Sequence, residues 1–201
     1  MNAQKLIDTA TTLLAGDKGL LAMDESHPIC NKRFAALGIP QTEEARRVYR
    51  ALMVTTPGLG EFISGVILYD ETIRQSKNDG TSFIKVIADV GIIPGIKVDT
   101  GAKDMAGHPG ENITEGLDGL RDRLAAYAHM GARFAKWRAM IAVDDGIPSW
   151  GCIEANAQAL ARYAALCQEA GLVPIVEPDR ITEGGIVLDR VTKSTLRKNK
   201  A

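Results

Sequence analysis

Two cations interrupt an otherwise apolar run. In GARFAKWRAM, residues 131–140, Lys136 and Arg138 stand two positions apart. A strand puts such residues on one face, about 6.6 Å apart along the chain. The same spacing recurs in Lys97 and Asp99 at the end of IIPGIKVD (92–99) and in Glu177 and Asp179 at the end of LVPIVEPD (172–179), while Asp24 closes GLLAMD (19–24). Lys and Arg at neighbouring positions suit the neutralisation of a phosphate, with Arg as the bidentate donor. Asp and Glu beside them can exchange protons, their pKa values set apart by the cations. A phosphorylated sugar would use both kinds of group. Isomerisation, aldol cleavage and group transfer are all compatible with such a set.

Each residue also has a plain structural explanation. A strand-terminal Asp often only shapes a turn or caps a helix. Lys136 and Arg138 can be charges that pair with Glu177 and Asp179 on a neighbouring strand. Repetition at four strand ends favours a pocket, which Tyr69-Asp70-Glu71 after the second apolar run is placed to join. His27, His108 and His129 read as surface residues, and Trp137 and Trp150 as packing groups. PGLG (57–60) is a weak phosphate signal, being two glycines in a turn.

The elements that must hold these residues are legible from periodicity. Apolar runs at 19–24, 63–70, 92–99, 132–140 and 172–179 alternate with helical patterns at 42–54, 112–129 and 153–169. The first helix opens at Thr42 and carries Ala45, Val48, Tyr49 and Leu52 on one stripe, expected to face the core. The last carries Ile153, Ala157, Leu160, Ala164 and Cys167 and stops at Gly171. An N-terminal helix is expected from Leu6, Ile7, Ala10, Leu13 and Leu14, ending at Gly16. Strands separated by helices pair in parallel, and near-continuous apolar strands suit a sheet covered on both faces. Five such strands fit a doubly wound sheet or an incomplete (β/α)8 barrel, since eight units need about 250 residues. In either fold, ligands sit at the carboxyl ends of the strands.

The chain has 201 residues, 45% of them hydrophobic, enough for one cored domain. A net charge of −1 gives no global basic surface for nucleic acid. No secretory leader and no run of bilayer-spanning length is present, so no membrane partner is expected. Cys30, Cys152 and Cys167 lack C-x-x-C spacing, which points to reduced thiols, a cytoplasmic location and no zinc site. Composition changes after residue 179. Residues 180–201 hold six Lys or Arg against two acids and a Gly-Gly break. The expected division is a partial barrel domain over 1–179 and an unrelated, basic, poorly ordered tail over 180–201.

LLAMDES, TTPGLGEFISGVILYDETIRQ, GIIPGIKVD, GARFAKWR, CIEANAQALARYA and GLVPIVEPD, taken in order, resemble the successive blocks of class I, Schiff-base, fructose-bisphosphate aldolase. That resemblance implies a (β/α)8 TIM barrel with about five βα units present here, a glycolytic aldehyde-lyase activity and no metal or cofactor. It also implies a sugar-phosphate substrate and a homo-oligomeric family. Asp24 would bind and help deprotonate the hydroxyl next to the cleaved bond. Lys97 and Arg138 would hold the sugar and its distal phosphate. Lys136 would assist proton transfer around the carbinolamine, and Glu177 would protonate the departing hydroxyl. Asp179, counted with Lys97 and Arg138 as substrate-binding, stands where the family usually has Glu, and Ile29 in HPIC (27–30) where it tends to place a hydroxyl residue. The family's imine-forming lysine lies on a sixth strand with no counterpart here; Lys193, in VTKST, is not promoted to that role. The expectation is therefore an aldolase chain truncated after its fifth strand and inactive alone. One alternative is a non-catalytic fragment that binds phosphate ligands weakly or self-associates through open sheet edges. Another is a metal-assisted lyase built on Asp24, Asp99, Glu177 and Asp179, disfavoured by the cations beside them.

Overall fold

The computed structural model describes residues 3–181. Five strands form one wholly parallel sheet: β1 (Gly19–Met23), β2 (Ile63–Leu68), β3 (Ile93–Lys97), β6 (Phe134–Ala142) and β7 (Val173–Ile181), in spatial order β1-β2-β3-β6-β7. Strands follow one another across the sheet in chain order, as in a barrel wall and unlike a doubly wound sheet, whose order reverses. Each expected apolar run became one of these strands.

The helices are α1 (Ala3–Leu14), α2 (His27–Ala36), α3 (Glu43–Val54), α4 (Leu59–Phe62), α5 (Asp70–Ile73), α6 (Phe83–Asp89), α7 (Leu120–Met130) and α8 (Trp150–Glu169). Thr42 caps α3 as expected, its hydroxyl accepting the Ala45 amide at 3.1 Å. Gly171 follows α8 with φ +75, the left-handed turn that ends a helix without a Cβ clash.

Three expectations need correction. Residues 112–129 are not one helix: β5 (Asn112–Glu115) pairs antiparallel with β4 (Gly101–Asp104), and the helix starts only at Leu120. Asn156 on α8 accepts the Thr114 amide and donates to the Asn112 carbonyl at 2.9 Å, so a distant buried amide holds the hairpin in place. The stripe on α3 faces the wrong way: Val48 and Leu52 are exposed, whereas Arg46 and Arg50 are buried. Of the two tryptophans, Trp137 is fully buried but Trp150 is half exposed.

Alternation along β6 explains the two faces of the sheet. Ala135, Trp137 and Ala139 point outward into the main core with Met23, Leu68, Ile96, Leu124 and Tyr163. Tyr163 on α8 donates to the Ala135 carbonyl at 2.7 Å and stacks beside Trp137, ring centroids 5.4 Å apart. Phe134 points inward, where Leu13, Ile67, Ile93, Val173 and Ile175 surround it. Room for that ring comes from glycine. A Cβ on Gly95 would lie 2.2 Å from Phe134 Cζ, and one on Gly65 would lie 2.6 Å from Leu13 Cδ2. Helix α1 closes this end of the sheet, its Leu13 carbonyl accepting the Ser64 hydroxyl at 2.7 Å. Among the described residues, no helix is long and apolar enough to cross a membrane. Residues 182–201, most of the expected tail, lie outside the described residues.

Candidate active site

The charged residues follow the apolar layer toward the carboxyl ends of the strands. Phe134, Lys136 and Arg138 share a face of β6. Asp24 directly follows β1, and Asp99 lies two residues beyond β3. Register places Lys97 beside Lys136 and Arg138 beside Glu177, while Asp179 sits opposite Met140. Adjacent like charges repel, so Lys97 and Lys136 need carboxylates, and each has its own.

Lys136 is the centre of the group. Its Nζ lies 3.3 Å from Asp24 Oδ2 and 3.1 Å from Glu177 Oε2, and its side chain is 10% exposed. Burial alone would pull this ammonium toward neutrality; Asp24 and Glu177 outweigh it and hold the pKa above the ordinary lysine value. Lys97 Nζ is 3.4 Å from Asp99 Oδ1. Arg138 pairs with Asp179, its Nε 2.8 Å from Oδ2 and its Nη2 on the same oxygen, and more loosely with Glu177 at 3.6 Å. The hydrogen bond that Arg138 donates to Asp179, joined by the charge of Glu177, raises the Arg138 pKa against the effect of burial.

The structure thus brings Asp24, Lys136, Glu177, Arg138 and Asp179 into one connected ion-pair chain across β1, β6 and β7, with Lys97 beside it on β3. Asp99 is at the same end, but its carboxylate is turned into the protein, with a side chain only 2% exposed. Of Tyr69-Asp70-Glu71, the two acids do not join. Asp70 accepts the Tyr127 hydroxyl at 2.9 Å, and Glu71 binds Arg46 through Nε and Nη2 at 2.8 and 2.7 Å. His27, expected at the surface, is only partly so: its Nε2 lies 3.1 Å from Glu71 Oε2 and its ring packs edge-on against Tyr69.

A second row of charge, behind the first, escaped the sequence reading. Glu25, next to Asp24, takes Arg50 Nη1 and Arg33 Nη1, each at 2.5 Å, and its own carbonyl takes Arg50 Nη2 at 3.0 Å. Burial would raise the Glu25 pKa, but the Arg50 hydrogen bond and charge bring it below the ordinary glutamate value. One signal pointed to this row: Arg46 and Arg50 are four apart on a helix, opposite its apolar stripe. What such a site can do follows from its parts. A buried ammonium between two carboxylates relays protons between them, and an arginine and a lysine at the rim offer donors to an anion. Among the described residues no group of three or more His, Cys, Asp or Glu is arranged to hold a metal ion. A cavity of about 480 Å³ lies apart from this rim, between β5, the turn after it and α8, lined by Thr114, Glu115, Asp118, Gln158 and Arg162.

Comparison with known proteins bears on the family and the fold. The family profile described as fructose-bisphosphate aldolase class-I matches residues 5–198, running past residue 179, where the sequence reading ended the family-like block. A probable fructose-bisphosphate aldolase class 1 from Xanthomonas campestris is 58% identical over 200 residues, covering 98% of this chain and 60% of that protein. A chloroplastic fructose-bisphosphate aldolase 1 from Pisum sativum is 48% identical over 188 residues, covering 94% of this chain and 52% of that protein. The chain therefore spans about 60% or less of the length of these relatives. In three dimensions it superposes on fructose-bisphosphate aldolase of Plasmodium falciparum with TM-score 0.87 and 44% identity, covering 89% of this chain and 52% of that one.

Proposed function

This chain belongs to the class I fructose-bisphosphate aldolase family, and from that premise we propose that its charged rim is the acid–base half of an aldol-cleaving site. The proposed substrate is fructose 1,6-bisphosphate, cleaved to dihydroxyacetone phosphate and glyceraldehyde 3-phosphate in glycolysis and formed in the reverse direction. The observation that carries the reading is Lys136 held between Asp24 and Glu177 at 3.3 and 3.1 Å. Asp24 then takes the proton of the hydroxyl next to the cleaved bond, Lys136 moves protons at the carbinolamine, and Glu177 gives one to the departing hydroxyl. Glu177 suits that task, being the most solvent-accessible of the three. Lys97 and Arg138 hold the sugar and its distal phosphate, and Asp179 occupies the Nε and Nη2 donors of Arg138 until a ligand displaces it.

The nucleophile is a separate matter. In the family this sequence resembles, the imine-forming lysine stands on a sixth strand. Among the described residues, the lysines late in the strands of the parallel sheet are Lys97 and Lys136, and Lys136 is kept as an ammonium by its carboxylates, the wrong state for attack on a carbonyl. The 201-residue chain by itself is proposed to bind dihydroxyacetone phosphate without forming an imine. Borohydride reduction in the presence of dihydroxyacetone phosphate, followed by peptide mass spectrometry, tests this. No adduct is expected. An adduct on any lysine of this chain would overturn the inactive reading, and failure of fructose 1,6-bisphosphate to perturb NMR signals of Lys136 and Arg138 would overturn the site itself.

A second reading is a non-catalytic, phosphate-binding chain that associates through its sheet edges. It is favoured by one observation: β1 and β7, the outer strands, each pair on one side only among the described residues. Sedimentation that shifts with concentration would support it. A cytoplasmic location fits the three buried free cysteines.

A further inference from the structure

We propose that Asp99 is a positioning residue whose buried carboxylate fixes the backbone of Arg138 and the ammonium of Lys97, aiming both cations at one phosphorylated ligand. The inference rests on the reading above that the rim takes such a ligand.

Hydrogen bonding between β3 and β6 runs out just where the two cations are needed. The last paired residues are Lys97 and Lys136, and the last backbone bond runs from the Val98 amide to the Lys136 carbonyl at 3.0 Å. Past it, the chain turns away into the β4–β5 hairpin. The Arg138 amide, next along β6, would then face β3 with nothing to accept it. An amide left unpaired at a buried strand end is costly. Asp99 Oδ2 fills that place, accepting the Arg138 amide at 3.2 Å across 39 positions of sequence. Its other oxygen, Oδ1, accepts the Gly101 amide at 3.2 Å and lies 3.4 Å from Lys97 Nζ.

The simplest role for an Asp here is as a turn former. A bond from its carboxylate to the amide two residues on is the usual device, and Gly101, at φ +100, continues the turn. That role uses one contact of three. The other two reach the two cations of the rim. Asp99 cannot meet a ligand directly, because its side chain is 2% exposed. It acts through Lys97 and Arg138. Arg123 on α7 steadies the same corner, donating to the Val98 carbonyl at 3.0 Å and to the Gly116 carbonyl.

Asp99→Asn preserves shape but has one oxygen for two backbone amides and no charge for Lys97. Calorimetry with fructose 1,6-bisphosphate and, separately, with inorganic phosphate should show affinity reduced about tenfold, the scale of one lost charge-assisted contact. With Lys97→Met already present, the same change should cost much less, since one of its two targets is gone. Equal affinity in wild type and Asp99→Asn would overturn the proposal, as would full additivity with Lys97→Met. A further measurement needs neither a variant nor a ligand. In the wild-type chain, scalar coupling across the hydrogen bond between the Arg138 amide nitrogen and the Asp99 carboxyl carbon should be detectable by NMR. Its absence would overturn the contact. If wild type binds neither probe, the phosphate reading falls, and the coupling still decides whether Asp99 holds Arg138.

Discussion

Phe134 and Lys136 sit two residues apart on the same face of β6, yet their neighbours differ in kind. Around Phe134 the sheet gives up side chains: Gly95 and Gly65 leave the space that the ring and Leu13 fill. Around Lys136 it adds them, with Asp24 from one edge strand and Glu177 from the other. The first arrangement is held by shape and by removal of apolar surface from water, which depends little on pH or salt. The second is held by charge, which returns little net stability once desolvation is counted. Stability and ligand chemistry are thereby separated along one strand by a single turn of the pleat. If that division is right, damage to the two ends should read out in different assays.

The largest effect on folding is expected at the apolar end. Phe134→Ala empties a fully buried ring site and should cost about 3–5 kcal/mol, read as a lower urea midpoint. Gly95, opposite the ring, cannot relax into the void without a side chain of its own. A loss below about 1 kcal/mol would mean that this layer is loosely packed and would erase the contrast.

Next in size is the row behind the rim. Glu25 and Arg50 are a buried pair, and breaking such a pair costs about 3 kcal/mol. This cost should depend on pH. The Glu25 pKa is lowered on folding, so its contribution is complete above its ordinary value of 4.5 and is lost as pH falls through the lower folded value. Glu25→Gln should therefore be markedly less stable than wild type at pH 7, and the gap should narrow as pH falls below 4.5 through the lowered folded value. A gap that persists unchanged in acid would show that Glu25 holds its place by packing instead of charge.

How far all this could be read without coordinates also divides along the same line. The apolar runs and their terminal charges were legible because both follow a period of two and are local in sequence. The parallel order of the strands followed from the helices between them. What escaped depends on partners far along the chain. Arg46 and Arg50 are buried because Glu71 and Glu25, 25 positions away in each case, meet them. Helix periodicity, which scores Val48 and Leu52 as the inner stripe, has no access to that pairing. The β4–β5 hairpin escaped for the same reason: NITE has neither alternation nor length, and it is fixed by Asn156 on a helix some forty positions later. Asp99 was seen as charged, but its inward turn was not, since only the early end of β3 makes it an acceptor for Arg138.

A smaller folding effect is expected at Lys136 itself. Lys136→Met leaves two carboxylates to face each other, and they can relieve this by taking up a proton or by reaching water, as Glu177 already does. A loss of about 1–2 kcal/mol is expected, with binding of dihydroxyacetone phosphate abolished. The lysine pairings add stability that is complete below the ordinary lysine value of 10.5 and fades as pH rises through the higher folded value. The difference between wild type and variant should therefore narrow only in strong alkali. Unfolding of the variant at neutral pH, with Phe134→Ala milder, would invert the comparison and make the ion pairs the structural element.

The smallest folding effect, and the sharpest test of the division, is expected at Asp179→Asn. Arg138 and Asp179 are each more than a third exposed, so water and salt screen the pair despite its bidentate contact, and removing it should change stability by less than about 1 kcal/mol. The effect on ligand should have the opposite sign. Asp179 occupies the Nε and Nη2 donors that Arg138 would offer a phosphate, so a ligand must displace it. Freed of that competitor, Arg138 should bind phosphate a few-fold more tightly, and the gain should shrink with added salt. Weaker binding in the variant would mean that Asp179 aims Arg138 more than it competes for it, and that pre-organisation outweighs charge even at the exposed edge of the rim.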